Sequence, residues 1–323
     1  MNKNNFLPKI SVIIPCWKVE DWVSHCLNSV LNQTYRNFEI VVVEDCSPDN
    51  TLKKIIELKD KNDNYNQIVI IQNEKNIGSS KARQKGIDNA IGDYLYFLDA
   101  DDWIESETLE LFVKVLQEDR EVEVVSGRFQ DIYEQKIIPY PKESSYLNRL
   151  STKEISYQMM ARQIRWNLWN RLIKRDFFKR IQMPANNNGE DYVLMCKVFY
   201  QAEKVKFIDC ITYNYNHLNE NTFQKNSKAL KHIKDVYKAF KILRCDFWFD
   251  SKAEKSIDIG ENIYIAQQLA QVENGDDFDC LLNKHMKLNL IWQREIKLKY
   301  KLLLLLYKFN QKKMIQYINL HRK

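Results

Sequence analysis

The stretch Tyr94-Leu-Tyr-Phe-Leu-Asp99-Ala-Asp101-Asp102 decides the fold. Tyr94 to Leu98 is a continuous apolar run and reads as a strand buried on both faces. Three carboxylates follow it within four residues. Like charges so close repel unless a cation or hydrogen bonds offset them. A few oxygen donors suit Mg2+ or Mn2+, ions that keep positions open for water and phosphate. A solvated acidic turn, or a cap for a helix starting near Ser106, is the plainer reading. These residues alone leave both open.

On the N-terminal side the period alternates. Ile10 to Ile14 is a β-branched run stopped by Pro15, and Trp22, Val23, Cys26, Leu27, Val30 and Leu31 form one helical face. Glu39 to Val43 and Ile68 to Ile71 read as two further strands. Leu52, Ile55 and Ile56 mark one helix between them. Ala82, Ile87, Ala90 and Ile91 mark another, starting near Ser79 or Ser80. After the acids, Leu109, Phe112, Val115 and Leu116 predict a helix, and Val122 to Ser126 a strand. Such alternation predicts an α/β fold, with a mostly parallel sheet and helices on both faces. Ligands in these sheets sit beyond the carboxyl ends of the strands. That rule gathers Pro15-Cys16-Trp17, Glu44-Asp45-Cys46 and Asp99 to Asp102 on one edge.

At that edge Asp45 is placed to accept hydrogen bonds from a base or ribose, and equally to make an Asx turn. Pro15 and Trp17 read as an apolar wall or as core packing. Asn76-Ile-Gly-Ser-Ser-Lys81-Ala-Arg83 turns into a helix whose free N–H groups, with Lys81 and Arg83, suit phosphate. Neither GxxxxGK[ST] nor GxGxxG occurs. Residues 128–165 read as loops and short elements, and from about 227 the chain reads as helices.

The composition bounds the function. Apolar residues make up 45% and charged residues 28%, enough for a packed core. The net charge of +6 belongs to the tail: residues 291–323 hold nine Lys and Arg against Glu295 alone, so the remainder is slightly acidic. A nucleic-acid partner is therefore not expected. Seven cysteines without a CxxC fit a reducing compartment, and the polar start fits no secretory signal. No run reaches the ~18 apolar residues of a bilayer span. A cytoplasmic protein follows. Its basic, Trp- and Tyr-bearing tail suits the inner face of an anionic membrane, or else packs on its own chain or on a second copy as a homo-oligomer.

Taken in order, the motifs resemble glycosyltransferase family 2. They are Ile10-Ser-Val-Ile-Ile-Pro15, Cys26-Leu-Asn-Ser-Val-Leu-Asn-Gln-Thr-Tyr35, Phe38-Glu-Ile-Val-Val-Val-Glu-Asp45-Cys-Ser-Pro-Asp49, Asn76 to Arg83, Ala90-Ile-Gly-Asp-Tyr-Leu-Tyr-Phe-Leu-Asp99-Ala-Asp-Asp-Trp103, and Asn187-Asn-Gly-Glu190-Asp191-Tyr. The likeness covers roughly residues 8–217. It implies the GT-A fold in residues 1–220, with a nucleotide-sugar half at about 8–127, an acceptor half at about 128–220, and a helical extension over 221–323. It also implies an inverting transfer from a nucleotide diphosphate sugar, most often a UDP-sugar, to a hydroxyl of a glycan or lipid-linked acceptor. On this likeness Asp45 would meet the base, Asp99 would lie near the ribose, and Ala100 would belong to the donor-binding residues. Asp101 would hold Mn2+ or Mg2+ with Asp102 in support, and Asp191, next to Glu190, would be the base. Cys16-Trp17-Lys18 and Glu44-Asp45-Cys46 depart from the usual aromatic-Asn and Asp-Asp-Gly, both near the base pocket.

Three further readings stay open. Asp191 opens a helix, whose dipole lowers its pKa while desolvation raises it. His217 reads as a metal or diphosphate contact, or as a structural histidine. Trp169 and Asn170, with Trp166, read as an acceptor groove or as core. The alternative to an enzyme is an inactive carbohydrate-binding scaffold of the same fold.

Overall fold

The computed structural model describes residues 6–61, 67–185, 188–219, 230–269 and 285–309. Among them the chain forms two compact units, residues 1–153 with 167–222, and residues 154–166 with 223–323. The segment 154–166 thus goes with the C-terminal unit, whereas the sequence places it in the acceptor half.

The first unit is built on one nine-stranded sheet, in the order β3-β2-β1-β4-β8-β6-β9-β5, with β7 beside β6. Its strands are β1 (Ile10–Cys16), β2 (Phe38–Glu44), β3 (Ile68–Gln72), β4 (Tyr94–Phe97), β5 (Trp103–Ile104), β6 (Val124–Tyr133), β7 (Lys136–Pro139), β8 (Arg171–Lys174) and β9 (Val205–Asn216). Strands β3, β2, β1 and β4 are parallel. Beyond β4 the sheet is mixed: β8 runs antiparallel to β4 and β6, and β9 parallel to β6. The parallel rule therefore holds only where strand and helix alternate in sequence.

Helices α1 (Val23–Leu31), α2 (Thr51–Asp60), α3 (Ser79–Asn89) and α4 (Thr108–Glu118) connect the first strands. The predicted continuation of α3 through Ile91 fails: the helix ends at Asn89, and Ile91 is 60% exposed. Helix α4 starts at Thr108 rather than near Ser106, and β6 runs on to Tyr133 rather than ending at Ser126. Between β7 and β8 lie α5 (Ser144–Leu147) and α6 (Thr152–Met160), and α7 (Glu190–Gln201) precedes β9.

Register sets the site. Cys16 pairs with Glu44, so β1 and β2 finish level, whereas β4 ends at Phe97 opposite Ile13, three residues before the end of β1. Two amides extend the match past the strands: Leu98 N–H to Ile13 O at 3.0 Å and Asp45 N–H to Cys16 O at 2.9 Å. Apolar side chains such as Val12, Ile14, Val42, Tyr96 and Phe112 fill the core beneath this edge.

The second unit holds α8 (Leu230–Asp246), α9 (Ser251–Leu269) and α10 (Leu298–Phe309). Ile259 and Ile263 of α9 pack with Ala161 and Ile296. The chain segment from α6 is tied to the start of α9 by Tyr157 Oη donating to Asp250 (2.7 Å) and by Lys252 to Glu154 (2.6 Å). Arg244 pairs with Asp258 and Glu261, and His285 lies 3.0 Å from the buried Glu261. Residues 310–323 of the basic tail lie outside the described residues. No helix among the described residues is long and apolar enough to cross a membrane.

Candidate active site

The acids after β4 are held by the end of β9 and the residues just beyond it. Tyr213 Oη donates to Asp102 (2.5 Å), and so does the Asn216 amide (2.7 Å). The Asn216 side chain donates to the Asp101 carbonyl (2.9 Å), and Asn219 donates to the Asp101 carboxylate (2.9 Å). Asp102 is 1% exposed, and both of its oxygens are engaged. Burial, then Asp101 and Asp99, push its carboxyl well above the usual range. Burial and Asp99 raise Asp101 to about 6, against the Asn219 bond that lowers it. Asp102 therefore braces the turn, while Asp101 keeps capacity for a cation: Asn219 is its one side-chain donor among the described residues.

No cluster of three His, Cys, Asp or Glu side chains that could cage an ion occurs among the described residues. One carboxylate with coordination left suits a divalent ion that keeps water and phosphate ligands. The residues thus fit Mg2+ or Mn2+ arriving with a diphosphate, and do not fit a resident caged metal. His217 pairs with Asp131 of β6. Its Nε2 lies 2.8 Å from Asp131 and its ring stacks on Tyr133 at 4.2 Å.

On the other strand ends, Asp45 accepts from Asn73 Nδ2 (2.9 Å) and from the amides of Ile77 (2.9 Å) and Gly78 (2.8 Å). It fastens β2 to the turn that enters α3, where Gly78 takes φ 88°. Trp17 is 46% exposed, with the Lys18 ammonium 4.9 Å above its ring. Pro15 is half-buried, Ala100 buried and Lys81 exposed. Lys18, Asp21, Asp49 and Asn219 line a cavity of about 230 Å³, which the Asn219 bond joins to Asp101.

Arg83 is where the two acidic motifs meet. Its guanidinium reaches Asp99 at 2.7 Å, Glu190 at 2.9 Å and Asp191 at 3.6 Å. Burial works against its charge, but the three acids outweigh this and raise its pKa. At Asp191 the raising influences win. Burial dominates, and Arg83 and the Leu168 amide offset it only in part, leaving its carboxyl raised to about 7. Glu190 is likewise raised by burial against Arg83.

Trp169 does not lie open as a groove wall. It is 9% exposed, stacked on Tyr213 at 4.2 Å and edge-on to Phe129 at 4.9 Å. Asn170 is buried too and donates to the Gly127 carbonyl at 2.7 Å. The sequence did not single out Lys18, Tyr213, Asn216 or Asn219. The run Tyr213-Asn-Tyr-Asn216 was a usable signal, since polar amides alternating along a strand imply a polar face needing a partner.

The pattern described as "Glycosyl transferase family 2" matches residues 11–180. The chain belongs to glycosyl transferase family 2. Among family relatives, Glycosyltransferase GlyA of Streptococcus pneumoniae is 32% identical over 222 residues, 64% of this chain and 30% of that protein. The cholesterol galactosyltransferase of Borreliella burgdorferi is 27% identical over 245 residues, 72% of this chain and 64% of that protein. The chain thus spans less than two thirds of either relative. Two solved structures share the GT-A fold. S. aureus TarS 1-349 with UDP-GlcNAc matches at TM-score 0.57 and 18% identity, over 96% of this chain and 90% of that one. The mannosyltransferase PcManGT of Pyrobaculum calidifontis, with GDP-Man and Mn2+, matches at 0.58 and 15%, over 97% and 86%.

Proposed function

We propose that this family 2 chain transfers a sugar from a UDP-sugar to an acceptor hydroxyl, with inversion, in the assembly of a cell-surface glycan. One observation carries the reading: Arg83 joins Asp99, at the β4 acid turn, to Asp191, 92 positions later in number, across one guanidinium. An acid turn for the leaving group and a raised carboxylate for the nucleophile are the two parts that a single displacement needs. The acceptor oxygen attacks the anomeric carbon, the bond to the UDP oxygen breaks, and Asp191 takes the hydroxyl proton. Asp101 would hold a divalent ion, which would supply positive charge to the leaving diphosphate. Asp102, with Tyr213 and Asn216, keeps the Asp101 turn in place. Trp17 and Lys18 are the side chains offered to the base and phosphates. TarS in complex with UDP-GlcNAc and PcManGT with GDP-Man support a nucleotide-sugar donor.

The acceptor is proposed to be a glycan or a lipid-linked sugar, reached at an anionic membrane through the basic residues of 291–323. A donor screen tests the core of the proposal. The full chain with Mn2+ should release UDP from one UDP-sugar, and Asp101→Ala should abolish that release. Metal-independent release, or full release by Asp101→Ala, would refute the assignment.

A further inference from the structure

The sequence offers Arg83 as a donor-phosphate ligand, but the structure gives its charge another use. The side chain is only 8% exposed, and its two terminal nitrogens are turned to acids: Nη2 to Asp99, Nη1 to Glu190 and Asp191. Its Nε is buried and meets no acceptor among the described residues. Three carboxylates against one guanidinium leave no surplus positive charge for a diphosphate. We propose that Arg83 is a positioning residue, which fixes the Asp191 carboxylate and ties it to Asp99 on the donor side, and that it does not bind the donor phosphates. The inference rests on the glycosyltransferase reading for its catalytic meaning, though not for its structural content.

The physical reason lies in charge compensation. A buried carboxylate without a cation takes up a proton. Arginine keeps its charge at all accessible pH, and its planar fork can serve two acids at once, which a lysine ammonium does less well. The groups that face Asp191 are Arg83 from α3, Glu190 on its own helix, Asp99 beyond β4, the Leu168 amide, and Arg171 on β8, whose own ionisation responds to Asp191. Asp99 and the adjacent pair Glu190-Asp191 sit in two distant places along the chain, and the Arg83 ion pairs connect them.

The test uses the full chain as Arg83→Met, Arg83→Lys and Asp99→Asn. A carboxyl 13C NMR titration reads Asp191 directly, its signal assigned by loss in Asp191→Asn. Arg83→Met should move the Asp191 midpoint up by about one pH unit or more, and Arg83→Lys should move it less. Asp99→Asn should move it down, because it removes a competing acid. Unmoved midpoints in all three would overturn the proposal, and this readout needs no turnover. Calorimetry with UDP and Mn2+ should show affinity within about threefold of wild type in Arg83→Met, while kcat for UDP release falls on the order of 100-fold with donor KM little changed. A loss of UDP affinity matching the loss of rate would instead make Arg83 a donor ligand. A wild-type chain that releases UDP from no UDP-sugar would sink the donor assignment above, while the titration still decides Arg83.

Discussion

Asp191 and Asp101 belong to a group of buried carboxyls, with Asp102 and Glu190, that give the folded chain a pH signature. The Asp191 and Asp101 carboxyls are raised in the folded chain, to about 7 and about 6, from 3.8. A raised carboxyl binds a proton more tightly folded than unfolded, so its stabilising effect is full below the unfolded pKa and is lost as pH rises through the folded one. Melting curves between pH 5 and 8 should therefore show a steeper fall for wild type than for Asp191→Asn. Equal slopes would mean that Asp191 is solvated. The same carboxylate must be ionised to accept a proton, so kcat/KM for transfer should drop below about pH 7, tenfold per unit. Asp191→Asn should keep UDP binding and lose transfer, and unimpaired transfer would remove it from the mechanism. The acids after β4 were legible in the sequence because an apolar strand ends at them, and Asp191, which opens a helix, was legible through the family resemblance. Their partners were not. Asn216 and Asn219 are ordinary polar residues until the return of β9 brings them to Asp102 and Asp101.

Helix α3 carries Arg83, and its seat on the sheet is tight. A Cβ on Gly86 would lie 2.5 Å from Ile13 Cγ2 of β1. Gly86→Ala must push α3 off β1 or displace Ile13, an overpacking cost of about 1–3 kcal/mol. Thermal or urea denaturation should register that loss, and Arg83 should loosen with it, lowering kcat. A Gly86→Ala chain as stable as wild type would show that the sheet gives way easily. Gly127 is similar, since a Cβ there would sit 2.2 Å from Thr212 Oγ1. At this level the sequence told most about β1 to β4, where strand and helix periods alternate. It told least about β6 to β9. There the strands are antiparallel or mixed and pair far from their neighbours in sequence, so no local period announces them. Trp169 and Asn170 fall in that half. Their aromatic and amide character suits a sugar groove and a packed core equally well, and only burial separates the two.

Across the whole chain, charge and chemistry are held in different units. The acids lie in the first unit, and the described part of the basic segment lies in the second, where Trp292 and Leu298 are each 68% exposed and Leu302 43%. Leu298 and Leu302 stand one turn apart on α10, beside Lys297, Lys299 and Lys301. Full-length protein should sediment with phosphatidylglycerol vesicles and not with phosphatidylcholine alone, and Trp292→Ser with Leu298→Ser should weaken this severalfold at unchanged UDP-release kcat. Binding that ignores lipid charge would dismiss the membrane role. One more consequence follows from the way Tyr213, Asn216 and Asn219 reach back over 111 to 118 positions to Asp101 and Asp102. A ribosome delivers the acid turn long before its clasp. Until residues 213 to 219 have emerged, the turn lacks the bonds from Tyr213, Asn216 and Asn219, and a nascent chain halted at residue 205 should bind no manganese–UDP however well β1 to β4 have formed. Competence for the nucleotide therefore comes at the end of synthesis of this unit, as a single late event.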